Sequence, residues 1–262
     1  MALTRPYVEV AERELLVVNV VRALAVVAGA FLLGAIFQSI FVAILGSPSQ
    51  AALRQSPALY VVVNASFFAG FVVTALWALR LRQDEPLLHL RSPRLTDVGW
   101  VVGGVAVLFT GAIAVGAALN AIISALESVF GVSTTVATNQ IITTGQGNPE
   151  LFLYLIPLSL LVVGPAEELV FRGVVQGLMR RSFGVLPGVV LASLLFGLGH
   201  VFALSSGDAW TMVFLTGSLG LILGVLYEYT ETILVPALAH GAWNATLFLI
   251  QYLSAIGVDI PF

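Results

Sequence analysis

Apolar residues in this chain gather into long runs broken by short polar connections, without the period-two alternation of a half-buried strand. The runs fall at about residues 18–45, 58–80, 98–126, 150–180, 186–204, 210–228 and 232–255. Each is long enough to cross a bilayer as one helix, which takes about 20 residues. The pattern predicts an all-α fold, a polytopic transmembrane helical bundle of seven to eight spanning helices, arranged as a single membrane domain over residues 1–262. Gly103–Ala118 and Thr216–Gly224 are rich in small residues, which predicts close helix contact, because small side chains let backbones approach in lipid. No internal repeat is evident.

Composition strengthens this picture. Of 262 residues 59% are hydrophobic and 10% charged, and the mean hydropathy is +1.02, whereas soluble domains carry roughly 25% charged residues. The net charge is −3 and all eleven basic residues are arginine. No polybasic tract exists to hold nucleic acid, so the expected surroundings are the lipid bilayer. Cysteine is absent, which excludes disulfides, thiol catalysis and Cys-ligated zinc. Chemistry is left to Glu, Asp, His, Ser, Asn and Arg.

The arginines also predict orientation. Arg5, Arg13 and Arg22 precede or begin the first run, Arg80, Arg82, Arg91 and Arg94 join the second to the third, and Arg180 and Arg181 follow the fourth. Only Arg54 falls in a connection on the other side, so a multi-pass protein of the cell membrane with a cytoplasmic N-terminus is expected. The first residues are too acidic for a signal peptide and are read as retained. Within them, Pro6–Leu16 is either a short interfacial helix or a frayed tail. The uncharged stretch after Gly131, closing at Glu150, is an outer loop, either a lid or, the favoured reading, a connector.

Ionisable groups within spanning helices are costly and mark functional or paired sites. Well inside the runs these are Glu167, Glu168, Arg172, His200 and His240, joined by the amide Asn244. At 1.5 Å per residue, Glu167 and His200 lie about 21 Å from the arginine-side ends of their helices, and His240 and Asn244 about 12 and 18 Å. Three antiparallel helices thus bring them to overlapping depths. Glu168 and Arg172 are spaced i, i+4, acid first, as for an intrahelical ion pair, and Glu167 points about 100° away. His240 and Asn244 share a face, as do Phe196 and His200. A single amide in a spanning helix usually bonds a neighbouring helix, and Asn19, Asn64, Asn120 and Gln38 are read so. Gly164 and Pro165 are expected to loosen the helix before the glutamates.

Three segments then stand out together: Glu167-Glu168-Leu-Val-Phe-Arg172, Phe196-Gly-Leu-Gly-His200 and His240-Gly-Ala-Trp-Asn244. They resemble the E-E-x-x-x-R, F-x-x-x-H and H-x-x-x-N motifs of the CPBP (Abi) family, intramembrane proteases related to the type II CAAX prenyl endopeptidases. The resemblance covers about residues 150–250, the expected catalytic core. It implies an endopeptidase with a water-filled cavity open to the cytoplasm, acting on a membrane-associated protein or peptide, lipidated or not.

Carried over by residue, Glu167 resembles the base that activates water with the help of His200. His240 and Asn244 resemble the oxyanion-stabilising groups, and Glu168, Arg172 and Phe196 the supporting ones. Amide hydrolysis without Ser or Cys does need a base and donors for the developing charge. The favoured account has no cofactor. Its alternative is zinc held by a His₂Glu set of Glu167, His200 and His240, although the chain has no HExxH. A non-catalytic scaffold, an immunity or regulatory protein of the same fold, and a transporter are further readings.

Overall fold

The structure, a computed structural model, describes residues 8, 10–81 and 87–259. Arg5, Arg82 and part of Pro6–Leu16 lie outside the described residues. Within that stretch Val10–Glu12 are non-helical and Arg13 begins the first long helix, so the described part holds no separate interfacial helix. The elements are α1 (Arg13–Ile44), α2 (Gln50–Gln55), α3 (Pro57–Arg80), α4 (Leu95–Phe130), β1 (Thr138–Asn139), α5 (Gln140–Gly147), α6 (Glu150–Phe183), α7 (Val185–His200), β2 (Leu204–Ser206), α8 (Ala209–Thr230) and α9 (Leu234–Ala255). The protein is an all-α helical bundle carrying one small strand pair.

Among the described residues six helices, α1, α3, α4, α6, α7 with its following turn, and α8, are long and apolar enough to cross a membrane. The seventh long helix, α9, has 22 residues. It is the more polar one because His240, Asn244 and Gln251 lie along it. Outward-facing residues such as Leu32, Val102 and Ile113 are apolar and exposed, the surface expected against lipid rather than water.

Local chemistry sets the ends. Pro57 opens α3, where its missing N–H costs nothing. Gly131 closes α4 at φ 65° and Gly184 turns α6 into α7 at φ 87°, left-handed positions at which a side chain would be strained. At one end of the bundle Ala11 N donates to Ser182 O, Ile233 N to His89 O, and Arg91 grips Asp97 in a bidentate pair at 2.7 and 2.9 Å. Arg91 and Arg94 of the α3–α4 connection and Arg180 and Arg181 at the end of α6 gather there. At the other end Asn148 Nδ2 donates to Arg54 O.

The segment 131–150 is more ordered than a plain connector. β1 pairs antiparallel with β2, and Asn139 caps α5 by accepting from Ile141 N at 2.9 Å. Asp208 pins the segment by accepting from Thr135 N at 2.7 Å, and Thr211 Oγ1 accepts from Ala137 N at 2.8 Å.

Helix α6 is not a regular α-helix. Two π-helical segments, Ser159–Val163 and Leu169–Gln176, bracket the α-helical Gly164–Glu168. Pro165 cannot donate the interior bond its position calls for, and π turns inside α-helices recur at functional sites.

Gly164 also makes a close helix contact. A Cβ there would meet Ala237 O at 2.5 Å and Gly241 N at 2.8 Å, while one on Gly241 would meet Ser159 O at 2.7 Å. Helices α6 and α9 therefore touch backbone to backbone, and this contact sets the distance between the glutamates and His240. Gly241→Ala is expected to force the helices apart and to cost about 1–3 kcal/mol, as overpacking does. Reversible unfolding in mixed micelles would measure this, and a wild-type stability would show the contact to be slack.

Candidate active site

The i, i+4 pair predicted on α6 is formed. Arg172 Nε donates to Glu168 Oε2 at 3.0 Å, and both side chains are fully buried. The other carboxylate oxygen of Glu168 accepts from His240 Nδ1 at 3.0 Å. Glu168 is thus held between a guanidinium on its own helix and an imidazole on α9. Arg172 also lies over the Phe196 ring, 5.3 Å from its centroid, and donates to Ser193 Oγ at 3.3 Å. Phe196 meets His240 edge to face at 5.7 Å. Two residues of α7 thereby fix groups belonging to α6 and α9.

Glu167 is placed differently. Its Oε2 is buried without a hydrogen-bond partner among the described residues, and the nearest cation-forming group is His240 Nε2 at 3.7 Å, beyond hydrogen-bond range. His200 bonds the Phe196 carbonyl through Nδ1 at 2.9 Å. Since a carbonyl only accepts, Nδ1 carries the proton and the neutral ring keeps its lone pair on Nε2. By the same logic His240 donates from Nδ1 to Glu168, which leaves Nε2 turned toward Glu167.

Glu167, His200, His240, Asn244 and Phe196 all line one cavity of about 490 Å³. Glu168 and Arg172 lie behind it. No hydrogen bond joins His200 to Glu167 among the described residues, so the cavity, not a direct contact, is what they share. Nor are Glu167, His200 and His240 gathered as a ligand group: among the described residues no three His, Asp or Glu side chains are placed to hold one metal ion.

A polar chain behind the site was not expected from the sequence. Gln176 Nε2 donates to Gly224 O at 3.1 Å and to Glu228 Oε1 at 2.9 Å, and Glu228 pairs with Arg180 at 2.9 Å. Arg180 in turn contacts His89 Nε2 at 3.0 Å, and His89 N donates to the Tyr227 hydroxyl at 2.7 Å. Glycines of α8 make the room: a Cβ on Gly224 would meet Gln176 Oε1 at 2.9 Å, and one on Gly220 would meet Arg172 Nη2 at 3.3 Å. The four-residue spacing of Glu168, Arg172, Gln176 and Arg180 was the available signal. The amides read as interhelical links behave otherwise, since Asn64 bonds its own helix at Tyr60 O and Asn19 is buried with no partner among the described residues.

The sequence reading put the arginines and the open side of the cavity on one, cytoplasmic, face. In the structure the lining residues lie away from the arginine-bearing ends of their helices. The lining includes Ala137 and Asn139 from the α4–α5 connection, Gln140 at the start of α5 and Phe202 from the α7–α8 connection, because α6 carries Glu167 in the half that precedes its run toward Arg180.

Comparison with known proteins finds similarity over the same part of the chain. Residues 149–246 match the family described as "Type II CAAX prenyl endopeptidase Rce1-like". The chain is also 34% identical over 87 residues to the uncharacterized protein YpbD of Bacillus subtilis (strain 168), a match spanning 33% of this chain and 40% of that relative. No solved structure matches. The three motifs fall within residues 149–246, the segment that is similar to the type II CAAX prenyl endopeptidase Rce1-like family.

Proposed function

We propose that the protein is an intramembrane endopeptidase that hydrolyses a peptide bond of a membrane-associated protein or peptide, with Glu167 activating water. The observation that carries this reading is the contrast between neighbours. Glu168 has its charge met from two sides, whereas Glu167 presents a buried, unbonded carboxylate oxygen to the cavity that His200, His240 and Asn244 also line. An unsatisfied polar atom costs stability, and a site with chemical work is where such a cost is tolerated.

In the proposed reaction Glu167 takes a proton from water as the oxygen adds to the scissile carbonyl carbon. His200, with its free Nε2 lone pair, assists by accepting a hydrogen bond from the same water. His240, held at Nδ1 by Glu168, carries a second proton on Nε2 and with the Asn244 amide donates to the tetrahedral oxyanion. As the C–N bond breaks, Glu167 returns its proton to the leaving nitrogen, giving a carboxylate and an amine. Phe196 and Arg172 act by holding His240 and Glu168.

Purified protein in liposomes should cleave a panel of membrane-anchored peptides, lipidated and not, and should keep cleaving after exhaustive chelation. Activity lost on chelation and restored by zinc would replace this mechanism with the metal-dependent one. A non-catalytic scaffold or immunity role would be favoured instead if Glu167→Ala and His240→Ala both complement a deletion strain as well as wild type. A proteoliposome ion flux that depends on Glu167 would favour a transporter.

A further inference from the structure

The cavity is lopsided along the bundle axis. Toward the arginine end its lining stops at Phe71 on α3, Phe171 on α6, Leu223 on α8 and His240 on α9. On each of these helices the remaining lining residues run away from that end, to Tyr60, Leu155, Met212 and Phe248.

What lies beyond on the arginine side is closed. Arg172 and Gln176 are fully buried, Arg180 and Glu228 are 9% and 8% exposed, and all four are tied in the polar chain that ends on His89. Among the described residues, none of the 87–94 connection lines the cavity. At the opposite end the lining reaches Gln140, which is exposed, and Phe202, which is 78% exposed. The wall between is largely aromatic, with Phe31, Phe67 and Phe71 in mutual ring contact at 5.1 to 6.1 Å. Among the described residues Glu167 is the only carboxylate in the lining and no arginine joins it. Apart from Glu167 and the two histidines, which the proposed reaction uses, a charged side chain entering here would be desolvated without a charged partner among the described residues.

We infer that the cavity is entered from the end opposite the arginines, so that its substrate is a membrane-anchored polypeptide presenting an uncharged, apolar or aromatic stretch in the outer leaflet. The outer leaflet follows from the arginines, six of which, Arg13, Arg80, Arg91, Arg94, Arg180 and Arg181, sit toward the closed end and belong on the cytoplasmic side. What fills the cavity rests on the peptidase reading. The direction of entry does not.

The chain contains no cysteine, so single-cysteine variants report cleanly. Gln140→Cys at the mouth and Thr216→Cys within the lining should react with a membrane-impermeant thiol reagent on intact cells, and Ser92→Cys only after permeabilisation. A bulky adduct on Gln140→Cys should abolish cleavage of an outer-leaflet anchored reporter, and the same adduct on Ser92→Cys should leave it unchanged. Thr216→Cys protected in intact cells, or reactive only from the Ser92 side, would overturn the inference even with proteolysis intact. The expected labelling without cleavage of any substrate would instead remove the peptidase reading and leave the entry side standing.

Discussion

Glu167→Gln is expected to lower the turnover of the purified protein by about 10²- to 10⁴-fold, the usual contribution of a positioned base, while its thermal midpoint stays level or rises. The two halves of this expectation come from one fact. The Oε2 atom of Glu167 is buried and bonds nothing among the described residues, so the carboxylate contributes little to holding the helices together. Exchanging it for a neutral amide of the same shape removes a base and breaks no hydrogen bond of that oxygen. A variant that loses turnover because it unfolds would point to a structural carboxylate, and one that cleaves at the wild-type rate would take Glu167 out of the reaction.

The opposite signature is expected at Arg172. Its guanidinium meets Glu168 at 3.0 Å with both groups fully buried, and Arg172→Met leaves that carboxylate to His240 alone. Removing one partner of a buried pair commonly costs about 3–5 kcal/mol, because the remaining charge is uncompensated. Unfolding of Arg172→Met in mixed micelles should show a loss of that size. The double variant with Glu168→Gln should recover part of it, since the two effects are coupled. Equal losses in the single and double variants would mean that Arg172 is held by Phe196 and Ser193 rather than by charge. Together the two variants separate a residue that reacts from one that holds.

The helices were legible because a bilayer demands long apolar runs, and each of the seven runs is a helix within a few residues of its expected bounds. The site was legible from its cost: Glu167, Glu168, Arg172, His200, His240 and Asn244 stand out in an apolar background, and four of them line one cavity with Glu168 and Arg172 directly behind. Glu228 and Gln176 were missed for a physical reason. Glu228 is two residues from the end of α8, where a carboxylate can reach water, and only the packing of α8 on α6 reveals that it is buried. The β1–β2 pair was hidden because two- and three-residue strands have no periodicity to read. The close contact at Gly164 was not legible because a glycine in sequence reports freedom, while its neighbour across the helix gap reports contact.

One consequence of the π-helical stretch remains in the azimuth of α6. In a regular α-helix each step of four residues advances by about 40°, so Glu168 and Arg180 would diverge by about 120°. A π turn advances less per residue, because its hydrogen bonds span five residues rather than four. Over Leu169–Gln176 this offsets the drift and keeps Glu168, Arg172, Gln176 and Arg180 in one file along α8. Removing a single residue from that stretch would rotate everything before it by about 100° relative to everything after, carrying Glu168 off its arginine and Glu167 out of the cavity without altering a single side chain of the site.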